Sequence, residues 1–225
     1  MKYLESLQRI FEENSNPDYA AHMSAYMKNR FPFYGIKSKD RRSLQKDFLK
    51  KNGLPEIKEL GKIVIAAYKF PQREMQYFAI ELVNKMKPEL EANFIEIAEK
   101  MIVTKSWWDT VDAVASNIVG YLVHKNPDLK NTMDNWIQSE NMWKQRTAII
   151  YQLKFKSDTD SERLFEYCKM CGDSKEFFIR KGIGWALREY SKTDEKMIRE
   201  YVEKTNLTPF SKREALKWLN RKSQK

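Results

Sequence analysis

The feature that most constrains the fold is the regular return of residues that end or begin helices. Prolines, glycines and capping residues divide the 225 residues into about a dozen segments of roughly 10 to 20 residues, the ordinary length of a helix. Almost no run alternates apolar and polar residues as a half-buried strand does, so the pattern predicts an all-α fold. The breaks fall near Asn16-Pro17, Pro32–Lys37, Asn52-Gly53, Phe70-Pro71, Lys87-Pro88, Lys105-Ser106, Asn126-Pro127, Ser139, Ser157–Asp160, Gly172–Ser174, Thr193 and Thr208-Pro209.

The connections between these predicted helices are short throughout. Short connections make consecutive helices antiparallel neighbours, and helix pairs that recur every ~35 to 40 residues are typical of a solenoid. We therefore expect an α-solenoid of antiparallel helix pairs, HEAT-like in architecture although no repeat consensus is present. No long linker interrupts it, so residues 1–225 are expected to form a single domain, with the basic end Arg221–Lys225 frayed.

The charge of the chain predicts a polyanionic partner. Lys and Arg number 41 against 31 Asp and Glu, a net charge of +10, which places nucleic acid first among the candidates. A basic protein of the membrane surface is the competing class, but Met1–Glu5 carries no lipidation signal. No apolar run has the length of a membrane span or the form of a signal peptide, so we expect a cytoplasmic protein without a membrane partner.

Several catalytic chemistries have no sequence support. There is no glycine-rich phosphate loop, no metalloprotease or serine hydrolase motif and no histidine placed for nucleophilic catalysis. Cys168 and Cys171 form a C-x-x-C, which fits redox chemistry or half of a zinc site, but zinc needs about four ligands and only His22 and His124 remain. The helical spacing of these cysteines favours ordinary helix residues. No cofactor and no metal is expected, and carboxylate and aromatic groups must carry any catalysis.

The segment 106–112 (SWWDTVD) contains the first candidate site. Ser106 and Asp109 have the spacing of a capping box, so a helix is expected to begin here. At ~100° per residue, Trp108 falls at the edge of the apolar stripe and Asp112, one turn later, lies just beyond it. An indole and a carboxylate thus share the border between core and solvent, although packing of the tryptophan and a surface ion pair of the aspartate would give the same pattern. The stripe itself consists of Trp107, Val111, Val114, Ala115, Ile118 and Leu122.

The segment 174–190 contains a second candidate surface. Trp185 lies nearly opposite the predicted core stripe and shares its face with Phe178, Lys181 and Arg188. Aromatic rings among cations are what a nucleic-acid groove requires, because rings contact sugars or bases while cations hold phosphates; burial against a neighbouring repeat is the alternative. The core stripe is Ile179, Ile183, Ala186, Leu187 and Tyr190.

Two predicted helix starts place a capping serine before cations, in Ser38–Arg42 and in Ser211–Arg213. Cations at this end oppose the helix macrodipole, but the arrangement becomes favourable when an anion docks on the free backbone N–H groups. Trp143–Arg146 is a similar cluster, with Lys154 and Lys156 nearby. Each cluster alone is an ordinary solvated surface, whereas several on a +10 chain indicate a distributed grip on a phosphate backbone.

At these residues the sequence resembles the AlkD family of bacterial alkylpurine DNA glycosylases, which are HEAT-like repeat proteins. The resemblance runs almost end to end, although residues 126–139 and 157–171 match less well. VTKSWWD and GWALREY are its specific stretches. The segments that carry it are Tyr26–Asn29, Gly35-Ile36, Asp40–Arg42, Val103–Asp112, Gln145-Arg146, Gln152–Lys154, Ser174–Tyr190 and Ser211–Ala215.

The resemblance implies a concave basic groove that binds duplex DNA, with Trp108, Asp112 and Trp185 at its centre and no flipping of the base. The implied reaction releases cationic N3- or N7-alkylated purines, with Asp112 stabilising an oxocarbenium-like transition state and orienting water, while both tryptophans hold the nucleotide. The implied location is the bacterial cytosol, in association with the nucleoid. The DNA contacts expected are Tyr26, Ser38, Lys39, Arg41, Arg42, Lys105, Arg146, Lys154, Lys181, Arg188, Lys212 and Arg213.

The expected partner is double-stranded DNA that contains alkylated purines, bound by a monomer. Two other interpretations remain: a non-catalytic relative that binds branched or bent DNA, and a helical-repeat scaffold for an acidic protein. The set Trp108, Asp112 and Trp185 favours the enzyme, because a pure binder does not need it. Salt-dependent retention by duplex DNA would count against the scaffold.

Overall fold

The computed structural model describes residues 2–222, and no strand occurs among them. The predicted all-α class is confirmed. The α-helices are Lys2–Glu13 (α1), Pro17–Tyr26 (α2), Ser38–Asn52 (α3), Ile57–Lys69 (α4), Arg73–Met86 (α5), Ile95–Val103 (α6), Trp108–Val114 (α7), Gly120–Lys125 (α8), Lys130–Ile137 (α9), Met142–Ile150 (α10), Ser161–Met170 (α11), Phe177–Tyr190 (α12), Glu195–Lys204 (α13) and Pro209–Lys222 (α14). Short 3-10 turns cover Lys87–Glu89, Ala92–Phe94, Pro127–Leu129 and Lys156–Asp158, and Ala115–Val119 is a π-helical turn between α7 and α8.

The predicted breaks coincide with the helix boundaries, and at some of them a short polar side chain caps the helix that follows. Asn16 accepts a hydrogen bond from the Tyr19 N–H at 3.0 Å, and Pro17 occupies the first position of α2. Asp160 and Asp194 cap α11 and α13 in the same way. These side chains satisfy backbone donors that the first turn of a helix leaves open. At the other end of the chain α14 continues to Lys222, and the last three residues of the expected frayed end lie outside the described residues.

The helix start predicted from Ser106 and Asp109 lies one residue too early. Helix α7 begins at Trp108, and Trp107 holds the N-cap position without a side-chain cap bond. A capping box requires a serine or threonine at the cap itself. The predicted helix start is therefore displaced by about one residue, the usual precision of a boundary.

The two serines expected to cap cationic helix starts also lie inside their helices. Ser38 is the first residue of α3, and Lys37 precedes it as the N-cap. Ser211 lies in the first turn of α14, is fully buried, and donates its N–H to the Thr208 Oγ1 at 3.2 Å. Threonine followed by proline is the stronger start signal here, because the proline has no N–H to satisfy.

The described chain forms two compact units, which meet in sequence at Lys105 and Ser106. The first unit contains α1 to α6, and its core holds side chains such as Phe11, Phe48 and Phe78. The second contains α7 to α14, with α12 packed mainly against α10 and α14. The single domain expected over residues 1–225 stays a prediction.

The loop before α3 in the first unit is held by a buried carboxylate. Glu74 accepts hydrogen bonds from the N–H groups of Tyr34 and Gly35 at 3.0 Å and of Ile36 at 3.3 Å. Burial raises the pKa of Glu74, and these three backbone donors oppose the rise. Gly35 has φ +84°, and a Cβ there would lie 2.0 Å from the Asn16 carbonyl oxygen. Only glycine fits where the loop crosses the start of α2.

The apolar stripes predicted in the second unit are confirmed. Val111, Val114 and Ile118 are fully buried, as are Ala115 and Leu122. On α12 the residues Ile179, Ile183, Ala186 and Leu187 are buried, whereas Tyr190 is only half-buried and was wrongly placed in the core. Helical periodicity thus located both core faces, but Trp107 at the start of the first stripe is half-buried, like Tyr190 at the end of the second.

Candidate functional site

The centre of the candidate site is an ion pair between α7 and α10. The Arg146 Nε and Nη2 donate to the Asp112 Oδ1 and Oδ2, both at 2.8 Å. The Arg146 side chain is 3% exposed and that of Asp112 is 16% exposed. A two-point guanidinium–carboxylate pair fixes the orientation of the carboxylate as well as its position. The Asp112 carboxylate therefore keeps part of its surface accessible, whereas its arginine partner is almost completely covered.

Arg146 also connects this pair to α12. Its Nη1 donates to the Phe178 carbonyl oxygen, and a Cβ on Gly182 would lie 3.0 Å from that same nitrogen. The absence of a side chain at Gly182 therefore makes room for the guanidinium. A glycine inside a helix lowers helix stability by about 1 kcal/mol relative to alanine. The close approach of Arg146 explains why glycine occupies position 182.

The two candidate tryptophans are both half-buried. Trp108 is one turn before Asp112 on α7, so their side chains are neighbours on the helix surface. Trp185 follows Gly182 on α12 by three residues, which places it one turn from the contact with Arg146. The Asp112–Arg146 pair thus links the helix surfaces that carry the two indoles.

An aromatic cluster packs between the segments that carry the Asp112–Arg146 pair. The ring of Trp107 lies 5.0 Å from that of Phe178 and 6.0 Å from that of Trp143, and the Trp143 and Phe178 rings are 5.1 Å apart. These rings come from α10, α12 and the residue before α7. Aromatic contacts of this kind contribute about 0.5–1.5 kcal/mol each beyond their burial. They fix the three segments that supply Asp112, Arg146 and Trp185.

A second carboxylate lies on α14, under the cationic face of α12. Glu214 accepts hydrogen bonds from the Lys181 Nζ at 2.8 Å and from the Arg188 Nη1 at 3.2 Å. Lys181 contributes most to the lowered pKa of Glu214, while burial opposes the shift. A Cβ on Gly184 would lie 2.4 Å from the Glu214 Cβ, so this glycine lets α12 and α14 approach closely. Glu214 therefore holds the Lys181 and Arg188 side chains in place.

A further aromatic–cationic cluster surrounds Phe210 near the start of α14. Its ring centroid lies 5.4 Å from the Arg213 guanidinium and 5.7 Å from Arg180 and Lys181. The exposed Phe177 ring is 5.7 Å from it. Attraction between cations and the ring face keeps these side chains together at the surface.

Besides Lys181 and Arg188, which Glu214 holds, Arg41, Arg146 and Lys105 are cations expected on DNA that are engaged within the protein. The Arg41 guanidinium is nearly buried and pairs with Glu81 at 2.9 Å, and Arg146 is buried in the pair with Asp112. The Lys105 ammonium donates to the Lys69 carbonyl at 3.3 Å and to that of Phe70, and burial lowers its pKa. For Arg41 and Arg146 the structure corrects the expectation of a cation on the surface, because buried carboxylate pairing replaces water around them.

Most of the other expected contacts lie at the surface of their own unit. In the first unit these are Tyr26, Ser38, Lys39 and Arg42, all exposed; in the second, Lys154 and Arg213 are exposed and Lys212 is half-buried. Lys154 donates to the Asn117 Oδ1 in the π-helical turn that follows Asp112. The Tyr26 side chain is 70% exposed at the end of α2.

Sequence reasoning missed Gly182, Gly184, Glu214 and Phe210. The signal that could have found the two glycines is their place inside the predicted helix of segment 174–190, because a glycine in a helix often marks a close approach. Nothing in the spacing of Glu214 distinguishes it from a solvated glutamate. Its role depends on the packing of α14 against α12.

Cys168 lies within α11, as its spacing predicted, whereas Cys171 is the C-cap residue that follows this helix. Cys168 and Cys171 are buried free thiols, and burial raises the pKa of Cys171 to about 11. Within residues 2–222, no group of three or more His, Cys, Asp or Glu side chains is arranged to hold a metal ion. No helix in this range has both the length and the apolar character needed to cross a membrane.

The fold and this site define an all-helical protein that presents a fixed carboxylate and half-buried indoles among cations. The family model for the DNA alkylation repair enzyme matches residues 7–219. The chain belongs to the DNA alkylation repair enzyme family, and its role is in the repair of alkylated DNA.

A solved structure is similar over nearly the whole length. It is described as a "Predicted DNA alkylation repair enzyme from Enterococcus faecalis", with 34% sequence identity and a TM-score of 0.84. The match covers 91% of this chain and 96% of that chain. It supports the α-solenoid class expected from the sequence, while the concave groove stays a prediction. No protein of curated function matches the sequence.

Proposed function

We propose that this protein is a DNA glycosylase that hydrolyses the N-glycosidic bond of cationic N3- or N7-alkylated purines in duplex DNA. Its membership of an alkylation repair family gives the class of substrate. The purine leaves, and water adds to the sugar. The enzyme is monofunctional, acts as a monomer without a cofactor, and works where bacterial DNA lies, in the cytoplasm.

The observation that carries this proposal is the state of Asp112. A carboxylate that is only 16% exposed and held at both oxygens by a buried arginine has a fixed orientation and an open side. A carboxylate fixed in advance stabilises positive charge that develops beside it without reorganisation during the reaction.

The chemistry matches a carboxylate that acts alone. An alkyl group on N3 or N7 places positive charge on the purine, so the base leaves as a neutral molecule and needs no general acid. The remaining sugar develops oxocarbenium character, which a carboxylate stabilises in glycoside hydrolysis. Asp112 stabilises this sugar cation and orients the attacking water through the oxygen lone pairs that Arg146 does not use.

Trp108 and Trp185 position the damaged nucleotide. Their half-buried indoles lie on the helix surfaces that the Asp112–Arg146 pair links. Contact of a cationic nucleotide with an indole face is worth about 0.5–2 kcal/mol. Such contacts favour the alkylated nucleotide over a neutral one without enclosing the base, which supports recognition without base flipping.

The remaining polar side chains divide into two roles. Arg146 acts through Asp112 as a positioning residue, and Glu214 positions Lys181 and Arg188. Phosphate contacts come from exposed or half-buried side chains, whereas Arg41 and Arg146 are buried in pairs with carboxylates. We assign this role to Tyr26, Ser38, Lys39, Arg42, Lys154, Lys181, Arg188, Lys212 and Arg213.

The test compares release of N7-methylguanine from methylated duplex DNA by the wild type and by Asp112→Asn. We expect release by the wild type and a loss of about 10²–10³-fold in the variant, with similar affinity for DNA. Asp134→Asn is the matched control, because Asp134 forms a two-point pair with Arg163, at 2.9 and 2.7 Å, in the same unit. Its release per folded molecule should stay at the wild-type level.

Two outcomes contradict the proposal. Equal loss in Asp112→Asn and Asp134→Asn would show that the effect is structural. No release by the wild type, together with retained binding of branched or bent DNA, would move the protein to the non-catalytic binding class.

A further inference from the structure

The first unit contains an apolar groove between α3 and α5, and Arg42 is the one residue of its lining that the proposed reaction uses, as a phosphate contact. Its volume is about 430 Å³; Leu49, Phe78 and Leu82 form its floor, and Leu54 lies at its mouth. Phe78 and Leu82 are nearly inaccessible in the floor, whereas the Leu54 side chain is 46% exposed at the surface. A large apolar side chain at the mouth of an apolar groove marks a surface that a partner can cover.

The rim of this groove is cationic. Arg42, Lys46 and Lys50 follow one another at four-residue spacing along α3, and Lys85 joins them from α5. Like charges four residues apart on a helix repel each other, so this row destabilises α3 in isolation. The arrangement becomes favourable when acidic side chains lie against it.

The charges of the rim are not compensated within the groove. Its one carboxylate is that of Glu81, which Arg41 pairs at 2.9 Å and Arg42 approaches at 3.4 Å. Among residues 2–222, no carboxylate lies in ion-pair distance of Lys46, Lys50 or Lys85. The groove therefore combines an apolar floor with a surplus of positive charge.

We propose that this groove is a docking site for an acidic amphipathic helix of a partner protein. Apolar side chains of that helix, spaced at i, i+3 or i+4 and i+7, cover Leu49, Leu54 and the floor, as in other helix-in-groove complexes. Its flanking Glu and Asp side chains meet the lysines of the rim. A DNA backbone would pair with the cations of the rim but would make no favourable contact with the apolar floor.

The probe is a fluorescent synthetic helix with leucines at this spacing and glutamates on its other faces, titrated with the intact protein. We expect saturable binding that weakens as salt screens the rim. In Lys46→Glu/Lys50→Glu the affinity should fall by about tenfold or more, because like charges then face each other. Leu54→Ala should weaken binding about threefold to tenfold through lost apolar contact.

A control with the same change of charge is Lys58→Glu/Lys62→Glu on α4. These two lysines are exposed and lie outside the groove. The control should bind the peptide nearly as the wild type does. Thermal unfolding of every variant checks that the first unit stays folded.

Release of N7-methylguanine by Lys46→Glu/Lys50→Glu distinguishes this site from the proposed reaction, and we expect it to be unchanged. Absence of peptide binding by the wild type, or equal weakening in the groove and control variants, would overturn the proposal. So would a groove variant that loses affinity for duplex DNA and keeps its affinity for the peptide, because the rim would then be a DNA contact.

Discussion

Each unit of the protein contains a buried arginine and a carboxylate that is wholly or partly buried, but the carboxylates of the two units have different surroundings. In the first unit, Glu74 is inaccessible and binds the backbone of residues 34–36, while Arg73 lies 3.9 Å from the Phe31 ring centroid and donates to the Lys105 carbonyl at 2.8 Å. In the second unit, Arg146 is equally buried, but its partner Asp112 remains partly exposed.

The difference teaches how a structural charge can be told from a functional one. Burying a charge is costly unless hydrogen bonds replace its water. Where backbone groups satisfy the charge and solvent cannot reach it, as at Glu74, the charge stabilises a loop and does nothing else. Where a buried partner satisfies one side and the other side stays open, as at Asp112, the charge is available to a ligand.

The largest expected effect is that of Gly35→Ala, which tests the structural role of the Glu74 loop. The new Cβ would meet the Asn16 carbonyl at 2.0 Å, so the backbone must move, and the free energy of unfolding should fall by more than about 4 kcal/mol. Gly53→Ala is the control, because Gly53 also has positive φ but an open surrounding. It should cost about 1–2 kcal/mol. If both variants lost the same free energy of unfolding in chemical denaturation, the positive φ of the glycines would account for both losses without the clash at Asn16.

Arg146→Lys tests the functional pair. A lysine cannot bind both oxygens of Asp112, so release of N7-methylguanine per folded molecule should fall about 100-fold. The salt dependence of DNA affinity should not change, because Arg146 is buried. Arg73→Lys is the control and should lower stability while leaving release per folded molecule unchanged. If the DNA affinity of Arg146→Lys depended less on salt than that of the wild type, Arg146 would be a phosphate contact.

Gly182→Ala is a gentler change at the same pair. Its Cβ would lie 3.0 Å from the Arg146 Nη1, so the guanidinium must shift by a few tenths of an ångström. Release should fall about tenfold, while stability changes by less than about 1 kcal/mol because alanine favours the helix. Single-turnover kinetics and thermal unfolding measure the two quantities. A loss of stability as large as the loss of activity would contradict a positioning role.

The smallest effect expected is on the pH dependence of stability. The raised pKa of Glu74 means that the folded chain holds this proton more tightly, so the unfolding free energy falls as pH rises from 4.5 through the folded pKa. Glu74→Gln should remove that fall, which is at most about 1.4 kcal/mol per pH unit. Glu214 has a lowered pKa, so its contribution is present above 4.5 and is lost as pH falls through its folded pKa. In denaturation followed as a function of pH, Glu74→Gln should change the slope of stability above pH 4.5, and Glu214→Gln should change it in the opposite direction below pH 4.5.

Local pattern determined much of this protein from the sequence. Helix breaks such as Asn16-Pro17 and Thr208-Pro209 depend on the capping and backbone chemistry of adjacent residues. The stripes of α7 and α12 depend on a helical period that leaves the apolar residues on one face. The adjacency of Trp108 and Asp112 follows from the same period, so the sequence alone predicted an indole beside a carboxylate.

Tertiary structure decided what those residues do. Asp112 and Arg146 are 34 positions apart, and no local period indicates that this arginine, among 41 Lys and Arg, pairs with that carboxylate. The same holds for Glu214 beneath Lys181 and Arg188. A sequence does not distinguish a surface cation from a buried one, because burial depends on which helices pack together. Here Gly182 and Gly184 set how closely α10 and α14 approach α12.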